Sequence, residues 1–278
     1  MGKSTFSVSM CVYHGDSPDW FRQAADSVLN QTAKPCEVVL VVDGPVPEAL
    51  NAVIQEYETK PVFRVIRLAE NRGHGNARRV CLSHCNHELV ALMDADDISL
   101  PDRFEKQLAL FNADPELSAA GGCIAEFVDT PDNCVGRRTV RTEDADIRRD
   151  LRKRCPFNQS TMMLKKSHVL RAGGYLDWYC NEDYYLWVRM HLAGMKFANS
   201  PDVLVYARTG ADLYRRRGGW RYFQSEAELQ GYMLKNRIIS PAEYGINVAK
   251  RLVVQVLLPD RLRGLVFRAF AREPVNDT

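Results

Sequence analysis

A chain of 278 residues is long enough for one large domain, or for a domain with an appended segment. Apolar residues make up 46% and charged residues 26%, the ordinary balance of a folded globular protein. The 37 Lys and Arg nearly cancel the 35 Asp and Glu, and a formal charge of +2 argues against a dedicated nucleic-acid binder. Phe6 to Tyr13 is apolar but too short for a signal peptide, and no stretch reaches the roughly 20 apolar residues of a membrane span. The eight cysteines form no Cys-x-x-Cys pair and no regular framework, so a cytoplasmic chain with reduced thiols is expected.

Strand and helix signals alternate through the first two thirds. Phe6 to Tyr13 has the apolar density of a buried strand, and Asp19 to Asn30 follows with helical spacing. Glu37 to Val42 is a second continuous apolar run, as parallel strands buried on both faces require. Pro47 to Tyr57 is predicted as a helix, Phe63 to Leu68 as a strand, Asn76 to Cys85 as a helix and Leu89 to Met93 as a strand. Pro101 is expected to open a helix through Leu110. Ala119 to Val128 and Ser160 to Leu164 are read as strands, Arg137 to Lys153 as a loop leading into a helix, and Glu182 to Ala193 as a helix. This order predicts an α/β fold with a mostly parallel sheet and helices on both faces. The tail differs: Ile246 to Arg272 interleaves aliphatic and basic residues, and Pro259 divides it into two amphipathic helical pieces.

Four segments carry candidate chemistry. Asp94-Ala95-Asp96-Asp97 directly follows a predicted buried strand, where ligands of open α/β sheets bind. Three adjacent carboxylates repel one another, which a hard cation such as Mn²⁺ or Mg²⁺, completed by substrate phosphates, would relieve; Asp96 or Asp97 capping the next helix is the plainer alternative. Asp43-Gly44-Pro45 also ends a strand and suits either a turn or a ribose or base contact. Asn71 to Arg78 has two glycines opening a helix, a place where backbone meets anions. Asn181-Glu182-Asp183 opens another helix, where acids either meet the helix dipole or present a general base. Cys81, His84, Cys85 and His87 could suggest zinc, but they read better as one face and edge of a helix.

Taken in order, these motifs resemble family 2 glycosyltransferases of the GT-A fold, in particular enzymes of bacterial capsule and O-antigen synthesis. The resemblance runs from about Phe6 to Ala193 and rests on Ser27 to Gln31, Val41 to Pro45, Asn71 to Arg78, Met93 to Asp97, Leu100 to Phe104 and Asn181 to Asp183. It implies that Asp43 contacts uracil or ribose, that Asp94 and Asp96 hold the metal and diphosphate, and that Asp183 is the catalytic base. Asn71, Gly75, Arg78 and Ala95 fall in the implied donor site, and Glu182 and Asn158 are candidate acceptor contacts. The single Asp43 followed by Gly44-Pro45 resembles the galactosyltransferase-like subgroup acting on undecaprenyl-diphosphate sugars.

The expected reaction is inverting transfer of one sugar, galactose favoured, from a UDP-sugar to a lipid-diphosphate-linked saccharide acceptor. The processive synthases' Gln-x-x-Arg-Trp motif is absent. Arg217, in Tyr214-Arg-Arg-Arg-Gly-Gly-Trp220, is a candidate phosphate contact beside a plain solvated face. Residues 1–205 are expected to form the GT-A domain and 206–278 a helical segment, which packs on protein or lies on the anionic inner face of a bacterial membrane. The rival readings are a sugar nucleotidyltransferase, disfavoured because Cys11 to Ser17 offers only Gly15 in place of a Gly-rich signature, and a non-catalytic nucleotide-sugar-binding module.

Overall fold

The computed structural model describes residues 4–210 and 218–259. Arg217 and the tail beyond Pro259 lie outside the described residues.

Four strands, β1 (Phe6–Tyr13), β2 (Glu37–Asp43), β3 (Phe63–Arg67) and β4 (Leu89–Asp94), pair in parallel in the spatial order β3-β2-β1-β4. Between them run α1 (Pro18–Leu29), α2 (Glu48–Glu58) and α3 (His74–His84). The continuous apolar runs have a direct cause. Val38, Leu40 and Val42 pack into one core with α1 and α2, while Val39 and Val41 pack into another with α3. A strand covered on both faces favours apolar side chains at successive positions. Cys81 and Cys85 belong to that second core, and the Cys81 thiol donates to the Val39 carbonyl (3.1 Å), so the helix-face reading accounts for them.

Beyond β4 the sheet becomes mixed. After the two-residue β5 (Ile98–Ser99) and α4 (Arg103–Ala113) come β6 (Leu117–Phe127) and β7 (Cys134–Arg138). Then follow α5 (Asp144–Leu151), a 3-10 turn (Gln159–Thr161), β8 (Met163–Lys165), α6 (Lys166–Arg171), α7 (Glu182–Leu192) and β9 (Lys196–Arg208). β8 is antiparallel to both β4 and β6, β9 runs parallel to β6, and β5 closes the path antiparallel to β9. The parallel pattern therefore breaks at β4, the strand that ends in the acidic run. Among the described residues the last helices are α8 (Trp220–Lys235) and α9 (Pro241–Leu252), followed by a short π-helical turn (Val253–Leu257). Leu229 and Met233 of α8 share the core of α3, α5 and α7. Asn247 of α9 donates to the Arg152 carbonyl (2.9 Å) and to Gln230 (2.8 Å).

Candidate active site

Parallel pairing puts the ends of β1, β2 and β4 on one edge. Asp43 lies opposite Tyr13, and Asp94 lies opposite Cys11. Two interstrand gaps thus separate the β2 and β4 carboxylates, roughly 10 Å across the sheet.

The loop from 70 to 74 is clamped to β2. One oxygen of Asp43 accepts from the Arg72 amide (2.8 Å) and the other from the Gly73 amide (3.0 Å), while the Asn71 side-chain amide donates to the Asp43 carbonyl (3.2 Å). Gly44 makes the close approach possible: it has φ +83°, and a Cβ there would stand 2.5 Å from the Asn71 nitrogen. Gly73, at φ +88°, turns the chain into α3.

Arg78, on the second turn of α3, is buried at the base of the site. It donates to the Ser9 carbonyl (3.1 Å), pairs with Asp94 and reaches the His74 ring (3.2 Å). Burial alone would lower its pKa; the Asp94 carboxylate overrides this and raises it, so the guanidinium stays charged. The ring of His74 in turn meets Glu182 on α7 at 2.8 Å. Burial acts against both charges, yet their mutual contact prevails: the His74 pKa is raised and that of Glu182 is lowered. A continuous polar chain therefore runs from Asp94 through Arg78 and His74 to the start of α7. α3 and α7 meet at Gly75, where a Cβ would stand in ordinary contact, 3.4 Å from that of Glu182.

Asp183, the next residue, accepts from the Tyr184 amide (2.6 Å). The turn leading to it is strained, because Cys180 adopts φ +56° without being glycine. Asn181 holds the turn to α8 through its hydrogen bond to the Ser225 hydroxyl (3.1 Å).

The acidic run forms the opposite wall. Asp94 and Asp96 are half-buried, and Ala95 and Asp97 are buried. Burial and the charges of Asp96 and Asp94 push the Asp97 carboxyl well up, and its side chain accepts from the Arg208 amide (2.9 Å). Asp16, just past β1, is pushed up to about 6 by burial, aided by Asp96 and Asp94 and opposed by the hydrogen bond from the Tyr13 amide. Four carboxylates thus share one field, and two of them, Asp94 and Asp96, remain half-buried at its edge. Among the described residues no three His, Cys, Asp or Glu side chains converge as a closed cage. Asp94 and Asp96 are the residues that would hold a hard cation, with substrate phosphates completing its ligands.

Two members of the site escape motif reading. Arg208, at the end of β9, donates to the Asp96 carbonyl (3.1 Å), the Asp129 carbonyl (3.0 Å) and Gln23 (2.8 Å), between the rings of Trp20 and Phe127. Its signal was hidden because β9 itself is not apparent in the sequence. Asp16 was accessible by the logic that selects Asp43, an acid just after a strand end. Asn158, in contrast, is buried and donates to the Gly122 carbonyl (2.8 Å) of β6.

A sheet with parallel first strands, an acidic run at the end of β4 and a second carboxylate turn facing it defines the GT-A class of glycosyltransferases. The chain belongs to glycosyltransferase family 2, whose model (Glycosyl transferase family 2) matches residues 7–173. It is 37% identical, over 83% of its length and 85% of the relative's, to the amylovoran biosynthesis glycosyltransferase AmsE of Erwinia amylovora. It is 32% identical, over 96% of each chain, to the UDP-Gal:alpha-D-GlcNAc-diphosphoundecaprenol beta-1,3-galactosyltransferase of Escherichia coli. The fold resembles that of the mannosyltransferase PcManGT from Pyrobaculum calidifontis, in complex with GDP-Man and Mn²⁺. That match has a TM-score of 0.64 and 17% identity, and covers 97% of this chain and 76% of the other. Family membership removes the nucleotidyltransferase reading.

Proposed function

We propose that the chain transfers one sugar, galactose by preference, from a UDP-sugar to a lipid-diphosphate-linked saccharide, with inversion at the anomeric carbon. The observation that carries this reading is the polar chain Asp94–Arg78–His74–Glu182, which couples the acidic run to the turn bearing Asp183. The relatives' named activities support the substrate classes.

In this reading Asp94 and Asp96 hold Mn²⁺ or Mg²⁺ together with the donor diphosphate. When bound, the ion offsets charge developing on the departing nucleoside diphosphate. Asp43 contacts the base or ribose while it keeps the 71–73 loop in place. Asn71 and the backbone at Gly75 and Ala95 line the donor, and Arg78 pairs with Asp94 from beneath. Arg217, outside the described residues, is the further phosphate contact. Asp183 accepts the proton of the acceptor hydroxyl as that oxygen bonds to the anomeric carbon. The bond from that carbon to the diphosphate oxygen breaks, and the electron pair leaves with UDP. Attack opposite the leaving group turns an α-linked donor into a β-linkage.

In this reading the enzyme works as a peripheral protein at the inner face of the membrane, where its lipid-linked acceptor lies. Ile246, Val253 and Leu257 support this: all three are exposed, and their spacing of seven and four residues puts them along one side of the C-terminal helical stretch. Among the described residues no helix is long and apolar enough to cross a membrane.

The test is to incubate the protein with Mn²⁺, a panel of UDP-sugars and lipid-diphosphate-sugar acceptors, following UDP release and product mass. Release with one donor that stops on adding EDTA and is abolished by Asp96→Asn is the expected result. A folded protein that binds UDP-sugar but neither transfers nor hydrolyses it would instead be a binding module.

A further inference from the structure

A hollow of about 330 Å³ opens between residues 177–179 and the first turns of α8. It lies beside the site described above. The Asp177 carboxylate on its wall reaches to 3.5 Å from where a Cβ on Gly75 would stand, the point at which Glu182 also meets α3.

The wall is built. The Ser225 hydroxyl donates to the Tyr179 carbonyl (2.5 Å) and accepts from Asn181 (3.1 Å), while the Ser225 carbonyl accepts from the Trp178 indole (3.1 Å). Three hydrogen bonds on one buried serine thus fix the segment that leads into Asp183. Over this frame the Tyr179 ring stays exposed, with the Arg221 guanidinium 4.0 Å from its centroid.

The chemistry of the lining selects a ligand class. Among the described residues that line the hollow, two carboxylates (Asp177 and Glu228) stand against one guanidinium, which already lies on an aromatic ring. That balance repels a diphosphate. Carboxylates and the Gln224 amide match a dense set of hydroxyl groups, and an exposed aromatic ring offers a flat apolar surface beside them. The volume lies at the lower end of the roughly 300–1,000 Å³ that hold compact ligands. We propose that this hollow receives the uncharged saccharide ring of the acceptor, with the acceptor's diphosphate held outside it. The assignment rests on the transferase reading and gives the acceptor's sugar its own subsite.

The test uses the full chain with the donor and lipid-diphosphate-sugar pair that supports turnover. Tyr179→Ala and Asp177→Asn should each raise the acceptor KM by about tenfold while moving the donor KM by less than about twofold. Tyr179→Phe keeps the ring and should restore the acceptor KM to within about threefold. The same rank order should hold for a simple glycoside of the acceptor sugar without diphosphate, assayed as a competitor. Two folded alanine or amide variants with unchanged acceptor KM, or with a raised donor KM, overturn the assignment. So does an effect that disappears with the diphosphate-free glycoside, since the hollow would then serve the diphosphate. A wild-type chain inert with every donor and acceptor overturns the transferase reading first, and this subsite with it.

Discussion

Asp183 sits in the first turn of a helix, where a carboxylate would be stabilised whether or not it did chemistry. Turnover separates the two roles: Asp183→Asn should lower kcat by about 10²–10⁴ while UDP-sugar affinity, measured by calorimetry, stays near wild type. Arg78 answers to a different measurement. It is buried against the half-exposed Asp94, so Arg78→Met leaves a carboxylate without its partner and should cost about 3 kcal/mol in urea unfolding. The His74–Glu182 pair gives a pH signature. Because the His74 pKa is raised, its contribution is complete below the ordinary 6.5 and lost as pH rises through the folded value. Because that of Glu182 is lowered, its contribution is present above the ordinary 4.5 and lost as pH falls through the folded value. The difference in Tm between wild type and His74→Ala should therefore peak near about pH 5.5 and shrink on either side. The places of Asp43, Asp94 and Asp183 were legible in the sequence, since each stands where a strand ends or a helix begins. The pairing of Arg78 with Asp94 was not, since it joins residues 16 apart through a helix packed on a strand.

At the scale of elements, the strands of the parallel half were legible because burial on both faces leaves unbroken apolar runs. β9 was not, for a physical reason. Its 13 residues include Asn199-Ser200-Pro201-Asp202, which has the chemistry of a turn. In the structure that stretch is a bulge: Gly122 pairs with Ser200 and Cys123 with Val203, so Pro201 and Asp202 are skipped. The Pro101 helix starts later than its sequence signal, at Arg103, because β5 and a turn occupy the residues before it. Two glycines distinguish steric from conformational cost. Gly73→Ala meets no neighbour and should lose about 2 kcal/mol for its backbone alone, since φ +88° with ψ 159° is a region that only glycine occupies readily. Gly44→Ala adds overlap with the backbone of Asn71 and should lose clearly more, about 3 kcal/mol, by the same chemical denaturation.

At the scale of the molecule, composition pointed to a folded globular protein and the order of strand and helix signals to an α/β one, and the amphipathic character of residues 246–257 was readable from their spacing. Which side of that stretch faces outward needed the fold, since α9 also packs inward through Asn247 and the Arg251–Glu226 pair. Cosedimentation with anionic vesicles should be strong at low salt and weaken as salt rises. Ile246→Asp with Leu257→Asp should reduce it by about tenfold without changing Tm. Equal binding by that variant would remove the outward stripe from the interface.

The break in strand direction at β4 and β8 also bears on how such enzymes diversify. Everything assigned to the nucleotide, apart from Arg217, is encoded before residue 100, whereas the saccharide hollow is encoded after residue 175. Selection can therefore redraw one specificity while leaving the other intact, provided position 182 keeps a partner for His74. A chimaera that takes residues 176–181 and 218–228 from a relative with a different acceptor should keep its donor and inherit the relative's acceptor.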